Sequence, residues 1–184
     1  NTGTATAPEF TFKEDDFLGF SRFFFYNLKI QFTDINRDTK IDLVFTGTSF
    51  QTGLTQFYFI PNQGSSRVDF TNQSIQPVDF TISSSENILV TDVNKDGLVD
   101  LLVGKTTGAL QYWKNTGPEG TLDFVLEDDS FLELGSTVLR QNIACYVSDF
   151  DGDGKSDLVY GDQQGQLNIM ANFREASNVI NAIT

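Results

Sequence analysis

Histidine is absent from the 184 residues, and cysteine, methionine and tryptophan occur once each. Without histidine there is no Ser-His-Asp or Cys-His catalysis, and the usual zinc sites are removed. A single cysteine, Cys145, excludes an intrachain disulfide and leaves the compartment open. No apolar run approaches the roughly 20 residues that span a bilayer, so membrane insertion is not expected. No glycine-rich phosphate loop is present. Basic residues are scarce, 12 against 25 acidic, for a net charge of −13. A surface of that sign repels phosphate backbones and anionic lipid heads, so nucleic acid and membrane surfaces are poor partners. The sequence opens without an initiator methionine or a leader, so we expect a chain that starts after processing or is an excised segment.

What is present suits one folded β-rich domain. The length allows a real core, and 39% of the residues are hydrophobic. Phenylalanine is over-used, at 18 residues, and its flat ring packs well on a pleated surface. The acids are clustered in three segments: Asp34-Ile-Asn-Arg-Asp-Thr-Lys-Ile-Asp42, Asp92-Val-Asn-Lys-Asp-Gly-Leu-Val-Asp100 and Asp149-Phe-Asp-Gly-Asp-Gly-Lys-Ser-Asp157. Their starts are separated by 92−34=58 and 149−92=57 residues. Upstream, Ile30, Ile88 and Cys145 stand four residues before the first Asp, and Phe32, Val90 and Val147 two before it. That alternation predicts a half-buried strand running into each loop. Downstream, Leu43-Val44-Phe45, Leu101-Leu102-Val103 and Leu158-Val159-Tyr160 predict buried strands closed by Gly47, Gly104 and Gly161.

A further strand follows each time, at Phe57–Ile60, Leu110–Trp113 and Leu167–Met170. Then comes a turn, Asn62-Gln-Gly64 leading to Phe70 and Asn115-Thr-Gly117 leading to Phe124. The same signature opens the chain as Asn1-Thr-Gly3 leading to Phe10, and an acidic patch at Glu14–Phe17 recurs at Glu127–Phe131. Three units are thus expected, at about 1–61, 62–114 and 115–171, with a tail or linker at 172–184. About four short strands per unit, without a helical period, predict an all-β fold of β-propeller blades. Propellers typically have four to eight blades, so three blades are expected to be part of a larger propeller. A solenoid-like stack is the structural alternative.

Each acidic loop reads as a metal site. Side-chain oxygens come from positions 1, 3, 5 and 9, and a backbone carbonyl from position 7. The candidate ligands are Asp34, Asn36, Asp38, Lys40 and Asp42; Asp92, Asn94, Asp96, Leu98 and Asp100; and Asp149, Asp151, Asp153, Lys155 and Asp157. Hard oxygens in a flexible loop suit Ca²⁺. An EF-hand would need a glutamate at position 12 between helices; Phe45, Val103 and Tyr160 stand there, in strands. The bland reading is that Asp, Asn and Gly are turn formers. Turn propensity does not require Asp at position 9 in all three copies. Three bound Ca²⁺ would take the charge from −13 to −7. Position 6 should need positive φ, which Gly97 and Gly154 adopt freely and Thr39 does not. The first loop is therefore expected to be the weakest site. The third, with Asp151 as a fourth carboxylate, is expected to be the strongest.

The loops, the Asp-Leu-(Val/Leu) and Gly after them, and the Asn-Thr-Gly…Phe turn resemble the FG-GAP/VCBS repeats of bacterial secreted proteins, and integrin α-subunit propellers carry similar loops. The resemblance covers nearly all of residues 1–171. It implies a calcium-loaded propeller at the cell surface or outside the cell, in adhesion, recognition or scaffolding. It also implies, as partners, the remaining blades or domains of a larger protein, a glycan or protein ligand, and secretion machinery such as type IX. No enzyme activity is expected. The alternative is a fragment of a propeller lyase or glycosidase, which needs only two suitably spaced carboxylates. Glu119 and Glu133, the acids left over from the repeat, have no evident partner. Cys145 reads as a small buried hydrophobe, Phe23-Phe24-Phe25-Tyr26 as core rather than a binding patch, and Asn72-Gln-Ser74 as a weak glycosylation match.

Overall fold

The computed structural model describes residues 2–70, 74–118 and 120–175; Asn1, Asn72, Glu119 and residues 176–184 of the expected tail lie outside them. The described chain is all-β, in three antiparallel sheets. Sheet 1 holds β1 (Phe25–Thr33), β2 (Asp42–Ser49), β3 (Thr55–Ile60) and β4 (Gln76–Thr81). Sheet 2 holds β5 (Asn87–Thr91), β6 (Asp100–Gly104), β7 (Leu110–Asn115) and β8 (Phe124–Asp128). Sheet 3 holds β9 (Ala144–Ser148), β10 (Asp157–Gly161) and β11 (Leu167–Met170). Each is a meander, so every strand pairs with its sequence neighbours. Four strands were expected in each copy; among the described residues sheet 3 has three. Short 3-10 turns at Phe17–Phe23 and Phe131–Glu133 precede sheets 1 and 3.

The strand sequences explain the stacking. Along β2, β6 and β10 the side chains alternate between the two faces of each sheet. Leu101 and Val103 join Val44, Phe57, Val78 and Ile35 in one core, between sheets 1 and 2. Leu102, on the other face of β6, joins Leu89, Leu110 and Tyr112 against Leu158 and Tyr160, between sheets 2 and 3. The first strands lie side by side, β1 along β5 and β5 along β9. At the first joint the Gln31 amide donates to the Val90 carbonyl (2.6 Å) and accepts from its N–H (3.0 Å). At the second the Asn87 amide donates to the Ile143 carbonyl at 2.9 Å.

A third cluster, Leu43, Phe45, Ile60 and Phe70, covers the outer face of sheet 1 with Leu18, Phe20, Phe25 and Tyr58. The aromatic run expected to be core is split: Phe25 packs there, whereas Phe24 and Tyr26 are exposed. Strand alternation sends neighbours to opposite faces, and positive φ at Phe24 (54°) and Asn27 (54°) breaks the register between Tyr26 and Lys29. The core also runs beyond residue 171, since Phe173 is fully buried against Phe131.

Candidate metal centre

Each acidic loop links the first strand of a sheet to the second, β1 to β2, β5 to β6 and β9 to β10. The side chain at position 1 folds back over the loop. Asp34 Oδ2 accepts the Thr39 N–H at 2.8 Å, Asp92 Oδ2 the Gly97 N–H at 2.9 Å, and Asp149 Oδ2 the Gly154 N–H at 3.0 Å. Position 3 accepts the N–H of position 5 through Asn36 (2.9 Å), Asn94 (2.9 Å) and Asp151 (3.1 Å). Position 5 accepts that of position 7, from Lys40 (2.9 Å), Leu98 (2.8 Å) and Lys155 (2.9 Å). These local bonds are those favoured by Asp and Asn in turns, and they gather the oxygens of positions 1, 3 and 5. In the third loop one ligand atom each from Asp149, Asp151 and Asp153 lies within 4.8 Å of the others. In the second, Asn94 Nδ2 donates to Asp96 Oδ2 at 2.8 Å.

Position 9 is placed differently. Asp42, Asp100 and Asp157 are fully buried. Each accepts the N–H of loop position 2 on one oxygen, from Ile35 (3.2 Å), Val93 (3.0 Å) and Phe150 (2.9 Å). On the other oxygen it accepts the N–H of the asparagine at the end of the third strand or two residues past it, from Asn62 (2.8 Å), Asn115 (2.9 Å) and Asn172 (2.8 Å). It thus ties the base of the loop to the third strand at the same end of the sheet, and it stands apart from the Asp149, Asp151 and Asp153 triad. The Asn62 and Asn115 side chains relay the tie by accepting the Gly64, Asp69, Gly117 and Asp123 N–H groups. This clamp has a sequence signal, an Asp followed by an Asn 20, 15 and 15 residues later, but its function becomes visible only in the fold.

The three buried carboxyls titrate differently. Burial raises Asp42 and Asp100 above the ordinary aspartate range, against their backbone donors and with help from nearby loop aspartates. Asp157 is held below that range by the Asn172 and Phe150 N–H groups.

The turn is tighter than glycine at position 6 alone implies. Positions 4 and 6 both take positive φ: Arg37 64° and Thr39 68°, Lys95 62° and Gly97 84°, Gly152 82° and Gly154 83°. Non-glycine residues there number two, one and none across the loops. Gly152 was the only hint of position 4 in the sequence.

The loops fit a hard divalent cation on two grounds. Their donors are carboxylate, amide and carbonyl oxygens. In addition, Asp92 Oδ1 is buried with no hydrogen-bond partner, a costly state for a carboxylate oxygen unless a cation meets it.

Residues 92–160, from the second loop to β10, match the family model described as FG-GAP-like repeat. Such repeats are typical of extracellular proteins. Comparison with curated proteins and with solved structures gives no match. Among the described residues no helix is long and apolar enough to cross a membrane.

Proposed function

We propose that this chain is a non-catalytic, calcium-binding β-propeller segment of a secreted or cell-surface protein, its sheets serving as blades and its function being adhesion, recognition or scaffolding. The observation that carries the reading is the partnerless Asp92 Oδ1, in a loop of the same register as the third, where Asp149, Asp151 and Asp153 bring their oxygens together. Asp34, Asn36 and Asp38, Asp92, Asn94 and Asp96, and Asp149, Asp151 and Asp153 would hold the ions, with the Lys40, Leu98 and Lys155 carbonyls. Asp42, Asp100 and Asp157 would brace the loops from below and offer their remaining lone pairs. Bound calcium would neutralise the carboxylates and cross-link each loop. The bacterial surface location, a glycan or protein ligand, and delivery by a dedicated secretion system belong to the same reading.

Extracellular calcium modules often bind with dissociation constants of about 10⁻⁴–10⁻³ M. A site at about 100 times its dissociation constant adds about 2.7 kcal/mol if only the folded state binds. Melting in EDTA and in millimolar calcium tests the reading: a higher melting temperature with calcium is expected, and no shift would sink it.

A further inference from the structure

The three copies can be superposed along the sequence, and two of their parts lack a counterpart. β11 corresponds to β7 at an offset of 167−110=57 residues. The residues that face the next sheet in β7, Leu110 and Tyr112, are 0% and 7% exposed, whereas Leu167 and Ile169 are 78% and 58% exposed. Leu89 in β5 is 7% exposed and its counterpart in β9, Tyr146, 60%. Sheet 3 therefore presents, uncovered, the face that sheet 2 buries. Its β11 edge also has no partner strand among the described residues, while β7 pairs with β8.

The amino-terminal segment has the opposite deficit. Phe10-Thr-Phe-Lys-Glu-Asp-Asp-Phe17 aligns with Phe124-Val-Leu-Glu-Asp-Asp-Ser-Phe131 at 124−10=114 residues. The first five residues of the second stretch are β8. Residues 10–14 are exposed and outside any sheet; Phe10 is 81% exposed where Phe124 is 9%. The correspondence continues through the following turn. Leu132 and Glu133, and Leu18 and Gly19, all take φ near 60°. Leu134 packs between sheets 2 and 3, and its counterpart Phe20 packs on the outer face of sheet 1. The Leu43 and Phe45 cluster is thus half of an inter-sheet core, made by the incoming sheet and its leader.

We propose that residues 10–14 are a donor strand that pairs with β11 of a second copy, and that copies join head to tail, the outer face of sheet 1 packing on the open face of sheet 3. A strand without a sheet and a sheet without a strand meet in one contact, a strand-addition mode with main-chain bonds for affinity. Two copies joined at both ends contain six sheets, inside the range at which propellers close. The inference rests on reading the sheets as blades.

The β7–β8 register pairs Lys114 with Val125, which transfers to Ala171 with Thr11, both exposed. A mixture of Thr11→Cys and Ala171→Cys chains should form a disulfide-linked dimer on mild oxidation, and neither variant alone should. Sedimentation of the unmodified chain should show a dimer. Phe12→Asp and Ile169→Asp should each weaken it at least tenfold, and Leu54→Asp, on the exposed β2–β3 turn, should not. A monomer at all concentrations overturns the proposal. So does a cross-link inside one chain carrying both cysteines, which would make the donor its own acceptor. A calcium-dependent melting shift in a strictly monomeric chain would overturn this inference and leave the calcium reading standing.

Discussion

Single residues decide how well each loop turns. A left-handed backbone costs an L-residue roughly 1–2 kcal/mol. Loop 1 bears that cost at Arg37 and Thr39, loop 2 at Lys95 alone, and loop 3 at neither position. We expect calcium affinity to rise from the first loop to the third. Thr39→Gly should strengthen the first site up to about tenfold, since 1.4 kcal/mol is a factor of ten. Calorimetric titration checks this, and filling of the Asp34 loop before the Asp149 loop would reverse the ranking. The ninth-position aspartates should behave unlike the others. Asp100→Ala leaves the Val93 and Asn115 N–H groups buried without an acceptor, at about 1–3 kcal/mol each. Denaturant unfolding in EDTA should show that loss, whereas Asp96→Ala should chiefly remove the calcium response. Cys145 packs against the core between sheets 2 and 3, and burial pushes its thiol up to about 12. Thiol reagent at pH 8 should react slowly with the folded chain and quickly in urea. The raised value also means a contribution to stability that is intact below about pH 9, the ordinary value, and lost as pH rises through 12.

At the scale of elements, the period-two alternation before each loop and the apolar run after it were legible, because one buried face leaves its imprint on every second residue. The turn asparagines were legible as turns. Three things were not. The strand after the turn begins at Phe124 in sheet 2 but at Gln76, past the matching Phe70, in sheet 1, because Phe70 goes to the outer cluster. The exposed counterpart of β8 looks the same as β8 in sequence, since a strand is made by its partner. The tie made by Asp42, Asp100 and Asp157 needs three-dimensional closure to be seen. Glycines at strand ends also gain meaning from the fold. A Cβ on Gly104 would lie 1.9 Å from the Ile143 carbonyl oxygen, where sheet 3 meets sheet 2. Gly104→Ala should cost about 1–3 kcal/mol by forcing the sheets apart. Differential hydrogen exchange should place the loss in β9–β11, and unchanged exchange there would refute the assignment.

At the scale of the molecule, the joints between sheets are not copies of one another. Gln31 binds both polar groups of Val90, and its counterparts are Leu89 and Tyr146. Asn87 reaches Ile143, and its counterparts are Lys29 and Ala144. Lys29 serves the first joint by donating to the Ser84 and Glu86 carbonyls. The strands are repeats, but each seam carries its own fastening. The consequence is that the copies have lost their interchangeability. A gene rearranged to place the third unit after the first would keep every strand, every loop and the hydrophobic pattern. Yet it would set Gln31 against the wrong neighbour. Whatever duplication produced these units, the seams now record their order, and a shuffled protein should assemble less faithfully than its composition suggests.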